Sequence, residues 1–160
     1  MKQLILCAML MFGFFSAFGQ KLYDPAANAD EQIVQAIAEA KQSKRHVFIQ
    51  VGGNWCTWCI RYHNFVESHT ALKALTDANY VTVKMNYSKE NYNREALKKL
   101  GNPQRFGFPV FVILNGDGSR LHTQNSAYLE ENGTYSEAKI SAFLKHWSPA
   151  AVAPETYAEK

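Results

Sequence analysis

The sequence predicts an α/β domain with a mixed central sheet and helices on both of its faces. Segments with apolar residues at helical spacing alternate along the chain with short β-rich runs. Val110-Phe111-Val112-Ile113-Leu114 is a continuous apolar run of the kind buried on both sheet faces. Asn115-Gly116-Asp117-Gly118 follows it directly and marks a tight hairpin turn. Strands joined through helices are expected to run parallel, with the hairpin adding an antiparallel edge.

The first residues are not expected to belong to the fold. Lys2 precedes an apolar stretch, Leu4 to Phe18, followed by small residues at Ala17 and Gly19. At about 15 residues it falls short of the roughly 20 that span hydrocarbon, and it reads as a signal peptide over residues 1–19. Left uncleaved, it would act as a membrane anchor. Export would place the chain in an oxidising compartment, the bacterial periplasm being the expected one. Cys7 lies inside this leader, so Cys56 and Cys59 are the cysteines of the domain.

The domain is expected over residues 20–149. Asp30 to Ser43 carries Ile33, Ile37 and Ala40 at helical spacing, with Asp30 as the expected cap. His46 to Val51 reads as a buried strand ended by Gly52-Gly53. From Cys56 the pattern is helical to about Ser68, and a second piece runs from Thr70 to Ala78. Tyr80 begins a strand in which Val81, Val83 and Met85 alternate with Thr82 and Lys84. Asn93 to Leu100 reads as a short helix stopped by Gly101 and Pro103. Arg120 to Gln124 returns beside the apolar run, Asn125 to Tyr135 reads as a polar loop, and Ile140, Phe143, Leu144 and Trp147 form a helix stripe. Residues 150–160 are read as a flexible tail.

Composition narrows the function. The chain has 160 residues, and 17 Lys plus Arg against 14 Asp plus Glu leave a net charge of +3. That is too little for a dedicated nucleic-acid surface. With 47% hydrophobic and 13% aromatic residues the chain can bury a sizeable core, which sets aside disordered and fibrous classes. With only 3 Cys, a disulfide-dense scaffold is excluded.

Trp55-Cys56-Thr57-Trp58-Cys59 carries the chemistry because it sits where a strand ends and a helix begins. Cys56 would face the unpaired amide hydrogens and the positive end of the helix, which favour its thiolate. Cys59 lies on the same helix face one turn deeper, within reach of the first sulfur, as a resolving thiol. Cys56 would then attack an external disulfide, and Cys59 would release the product. The chain has no flavin or nicotinamide fingerprint, so an external redox partner would reset the dithiol.

These motifs resemble those of thioredoxin-like thiol-disulfide oxidoreductases, among the exported bacterial members of that superfamily. The resemblance covers roughly Asp30 to Trp147 and rests on Trp55-Cys56-x-x-Cys59 after a strand, Lys84-Met85-Asn86 ending the next, and Gly107-Phe108-Pro109 before the buried strand. It implies a cis peptide bond before Pro109 and a substrate groove that includes Phe108 and Pro109. Gln50 departs from the family pattern, for thioredoxin itself has a buried Asp six residues before its first active-site cysteine. Lys84 would thereby lack an acidic partner. Thr57-Trp58 matches neither the Gly-Pro of reducing thioredoxins nor the Pro-His of strongly oxidising relatives, so the direction of electron flow stays open.

The bland readings are a structural disulfide, or a zinc site drawing further ligands from His46, His63 or His69. Neither suits so short a loop with no second cysteine pair. Trp55 divides between packing and substrate contact, Trp58 is expected to be exposed and to touch a client, and Tyr87, Tyr92, Tyr128 and Tyr135 read as surface and loop packing. Oxidoreductase chemistry on protein thiols and disulfides, by a monomer without cofactor or metal, is the leading expectation. A peptide-binding module with an idle dithiol is the alternative.

Overall fold

The computed structural model describes residues 21–157. The leader expected over residues 1–19 and the last residues of the tail lie outside the described residues.

At the centre is β1 (His46–Gly52), buried along its whole length. It pairs in parallel with β2 (Tyr80–Asn86) and antiparallel with β3 (Val110–Leu114), which pairs antiparallel with β4 (Arg120–Asn125). The order across the sheet is β2-β1-β3-β4. One expectation is corrected here: β3 follows a helix yet runs against β1. Val110 pairs with Val51 at the end where β1 finishes, and β2 finishes there too, since Gly52 pairs with Asn86. The intervening helix, α4 (Arg94–Lys99), has 6 residues, so it rises only about 9 Å and does not carry the chain back along a strand. The chain therefore turns round and enters β3 from the same end.

Side chains alternate across the sheet and sort into two chemistries. Val47, Ile49 and Val51 join Val81, Val83, Met85, Val110 and Val112 in an aliphatic layer under α1 (Ala29–Ser43) and α4. Ala36 and Ala40 let α1 lie close to it. The opposite face is aromatic: Phe48 packs 5.2 Å from Phe111 and 6.1 Å from Phe143, and Tyr62 stands 4.4 Å from Phe111. It is covered by α2 (Thr57–Ser68), α3 (Thr70–Asn79) and α5 (Glu137–His146). Each such side chain stabilises the fold by about 1.5–3 kcal/mol through burial. Gln50, two residues after Phe48, projects from this same aromatic face with 0% exposure.

Smaller differences have local causes. The cap of α1 is Asn28, whose side chain accepts from the amides of Asp30 and Glu31; Asp30 lies inside the first turn. The expected polar loop folds into a 3-10 turn (Ser126–Leu129) and a miniature hairpin of β5 (Glu130–Glu131) and β6 (Thr134–Tyr135). Asn132 and Gly133 both take positive φ there, the geometry of a two-residue hairpin turn. Tyr135 is thereby buried to 2% exposure and belongs to the core. Beyond α5, where a flexible tail was expected from residue 150, the chain forms α6 (Pro149–Val152), capped by the Ser148 hydroxyl, and a 3-10 turn (Pro154–Thr156).

Candidate active site

The end of β1 and the start of α2 place the cysteines. Cys56 is the cap residue of α2, with extended backbone, and its sulfur accepts the Cys59 amide hydrogen at 3.1 Å. The helix turns on from there, with the Cys59 and Ile60 amides donating to the Cys56 carbonyl. Cys56 and Cys59 are joined in a disulfide with 5.2 Å between their Cα atoms. Cys56 is 5% exposed and Cys59 0%, so the first sulfur is the more reachable of two covered ones.

Two glycines make room. A Cβ on Gly52 would stand 2.4 Å from the Cys59 sulfur and 2.8 Å from the Tyr23 hydroxyl. One on Gly53 would meet the Trp55 indole nitrogen and the Tyr87 carbonyl. The close approach of dithiol to strand thus depends on the absence of side chains at both positions.

The Phe108-Pro109 bond is cis, as the resemblance implied, and Pro109 is buried at the entrance to β3. Phe108 packs on the dithiol cluster together with Trp58. Trp55 stands edge-on to Phe108 at 5.3 Å, and Tyr87 lies 4.8 Å from the same ring. Trp58, expected to be exposed, is the more covered of the two tryptophans. Trp55 is 56% exposed, anchored by its indole N–H on the Tyr87 carbonyl at 2.7 Å. Trp58 is half-buried, edge-on to Tyr135 at 5.4 Å, with the Arg61 guanidinium 4.3 Å over its ring. The miniature hairpin that carries Tyr135 is what covers it. Thr57 is exposed between them.

Beneath the dithiol lies a polar assembly. Gln50 donates from Nε2 to the Cys59 carbonyl at 3.0 Å and to the Tyr23 hydroxyl at 2.7 Å, while its Oε1 accepts from the Lys84 ammonium at 2.6 Å. A lysine offers only donors and a carbonyl only an acceptor, so the amide orientation follows from its neighbours. Lys84 therefore has a partner after all, a neutral one. Burial pushes its pKa down to about 8, with Glu67 acting in the opposite direction. Lys84 opens on a cavity of about 240 Å³ lined also by His63, Glu67 and Thr82. His63 is held below its usual pKa, first by burial and then by the Lys84 charge. His46 instead bonds the Trp147 carbonyl and His69 the Phe65 carbonyl.

Tyr23 is the residue that sequence reasoning missed. It precedes α1, yet its main chain is clamped by Asn54, which accepts from the Tyr23 amide at 3.0 Å and donates to its carbonyl at 2.7 Å. Its ring is 0% exposed against both cysteines. A tyrosine ahead of the first helical pattern gave no local signal of that placement.

A sequence profile described as thioredoxin-like matches residues 28–116, more than half of the chain and all of the strand-dithiol-helix unit. The chain belongs to the thioredoxin-like family. Among curated relatives of this thioredoxin-like chain, the disulfide bond reductase DsbH of Chlamydia pneumoniae is 22% identical over 103 residues, 60% of this chain and 62% of that protein. The chain thus spans less than two thirds of that relative's length. Among solved structures, a disulphide isomerase from Xylella fastidiosa Temecula1 superposes with a TM-score of 0.69 at 27% identity, covering 78% of this chain and 94% of that one. A DsbH oxidoreductase structure superposes with a TM-score of 0.52 at 19% identity, over 70% and 81% of the respective chains, a likeness of fold.

Proposed function

We propose that this thioredoxin-like protein is a thiol-disulfide oxidoreductase acting on protein substrates through Cys56 and Cys59. The observation that carries the reading is the capping sulfur. A group that accepts an amide hydrogen at the positive end of a 12-residue helix is more favourable as an anion than as a thiol. The relationship to a reductase and an isomerase supports the same chemistry.

In the reducing direction the Cys56 thiolate attacks one sulfur of a client disulfide, and the other client sulfur leaves as thiolate. The Cys59 thiolate then attacks Cys56 Sγ, expelling the second client thiolate and closing the Cys56–Cys59 disulfide. The client gains two electrons, its thiolates take protons from water, and a dithiol partner protein reopens the disulfide. The reverse sequence donates a disulfide. Trp55, Thr57 and Trp58 with Phe108 and Pro109 form the client groove: exposed Trp55 and half-buried Phe108 supply its aromatic wall, Trp58 its floor. The chain works as a monomer after export to the bacterial periplasm.

Reduction of insulin disulfides in the presence of a thiol donor tests this reading. Catalysis abolished by Cys56→Ser supports it. No catalysis by the unsubstituted protein, with peptide binding that survives the Cys56→Ser, Cys59→Ser double variant, contradicts it in favour of a binding module.

A further inference from the structure

The hydrogen-bond directions around Gln50 leave one proton without a destination. Both hydrogens of the Gln50 amide are committed, one to the Cys59 carbonyl and one to the Tyr23 oxygen. Tyr23 therefore receives a hydrogen bond from Gln50, and its own hydroxyl hydrogen must point elsewhere. Among the described residues that hydrogen has no acceptor in the oxidised protein, and the Tyr23 ring packs in one cluster with both cysteines. The Cys59 sulfur is the neighbour across the gap: it and the Tyr23 oxygen lie 2.4 Å and 2.8 Å from the point where a Gly52 Cβ would stand. A disulfide sulfur is a weak acceptor, whereas a thiolate is a strong one.

We propose that Tyr23 is the hydrogen-bond donor to the Cys59 thiolate in the reduced protein, held in aim by Gln50 and by the Asn54 clamp. The inference rests on the thiol-disulfide exchange reading above. It gives the resolving cysteine what the helix end gives Cys56, namely a donor that stabilises its anion. No proton is transferred: the Cys59 proton is lost to water, and Tyr23 keeps its own. Burial raises the Tyr23 phenol well above its ordinary range, which keeps it a donor at every working pH. Tyr23 lies before the stretch matched by the family profile, so the device is added from outside that unit.

The other titratable groups of this layer are Cys56 at the head of α2, Lys84 from β2 on the far side of Gln50, His63 and Glu67 of α2 around that ammonium, and Tyr135 from β6. Tyr23→Phe leaves all of them in place and removes one hydroxyl.

The test uses the full chain with Cys7→Ser and Cys56→Ser, in which Cys59 is the remaining thiol. Its ionisation is followed by thiolate ultraviolet absorbance with Tyr23 present and with Tyr23→Phe. The expected result is a Cys59 pKa higher by about one to two units in the Tyr23→Phe protein, the scale of a hydrogen bond to a charged group. An unchanged pKa overturns the proposal, and so does a loss of thermal stability without a pKa shift, which marks a purely structural hydroxyl. A second measurement in the otherwise unsubstituted chain follows release of a small thiol from its mixed disulfide with Cys56. Tyr23→Phe should move the pH midpoint of that release upward with the plateau rate retained, and an unmoved midpoint contradicts the role. The Cys59 titration needs no turnover, so it separates a failure of this inference from a failure of the exchange reading.

Discussion

The Lys84 ammonium donates to Gln50 Oε1 across 2.6 Å, directly beneath the helix turn that holds the dithiol. An amide at this position does what a carboxylate does not: it accepts from the lysine and donates to two further groups at once. The lysine is left beside a neutral partner, and burial depresses its pKa from 10.5 to about 8.

That depression has a definite sign in stability. Between about pH 8 and 10 the unfolded chain holds the Lys84 proton while the folded chain has released it, so stability rises with pH through this window. The penalty for burying the charge is fully present below it. Urea unfolding of the oxidised protein should show a midpoint that climbs over this range relative to Lys84→Met, and parallel curves would contradict the assignment.

Gln50→Leu removes the partners of Lys84, Tyr23 and the Cys59 carbonyl together. Leaving such buried groups unpaired should cost about 3 kcal/mol or more, read as a lower denaturation midpoint. Gln50→Asp instead sets a carboxylate beside Lys84, which raises the lysine pKa, and should change the pH profile of turnover. An unaltered profile would make the amide irrelevant to exchange.

Gly52 is constrained by space. A methyl group there meets the Cys59 sulfur at 2.4 Å, with the strand on one side and the helix on the other. Gly52→Ala should destabilise the oxidised protein by about 1–3 kcal/mol, the usual range for overpacking, and slow exchange. Calorimetry and insulin reduction on the same preparation check both effects.

Trp55 offers a different contrast, since it is 56% exposed and contributes little to the core. Trp55→Ala should change stability by under about 1 kcal/mol while raising KM for a protein disulfide several-fold. Equal KM values would remove Trp55 from the client surface.

The parts of this molecule governed by neighbours in the chain were legible in the sequence. The hairpin turn at Asn115 to Gly118 and the cysteines at the head of α2 follow from local turn and cap chemistry, and they stand where expected. What escaped depended on distant partners. Trp58 is covered by Tyr135, and Tyr135 is delivered by a two-residue turn at Asn132-Gly133 that looked like a polar loop. Tyr23 reaches the dithiol through Asn54, 31 residues away, which no periodicity could signal. The direction of β3 depended on how far α4 carries the chain, and the Asn28 cap lay just ahead of the residue chosen from the pattern.

The central claim is that the backbone of α2 holds the Cys56 sulfur as an anion, and titration of that thiol in the reduced protein tests it most directly. Rapid alkylation as a function of pH, with the labelled site read by mass spectrometry, should give Cys56 a pKa of roughly 3.5–7.5 and label it before Cys59 at mildly acidic pH. A Cys56 pKa at or above the ordinary thiol value of about 8.5, or labelling of Cys59 first, would contradict the account.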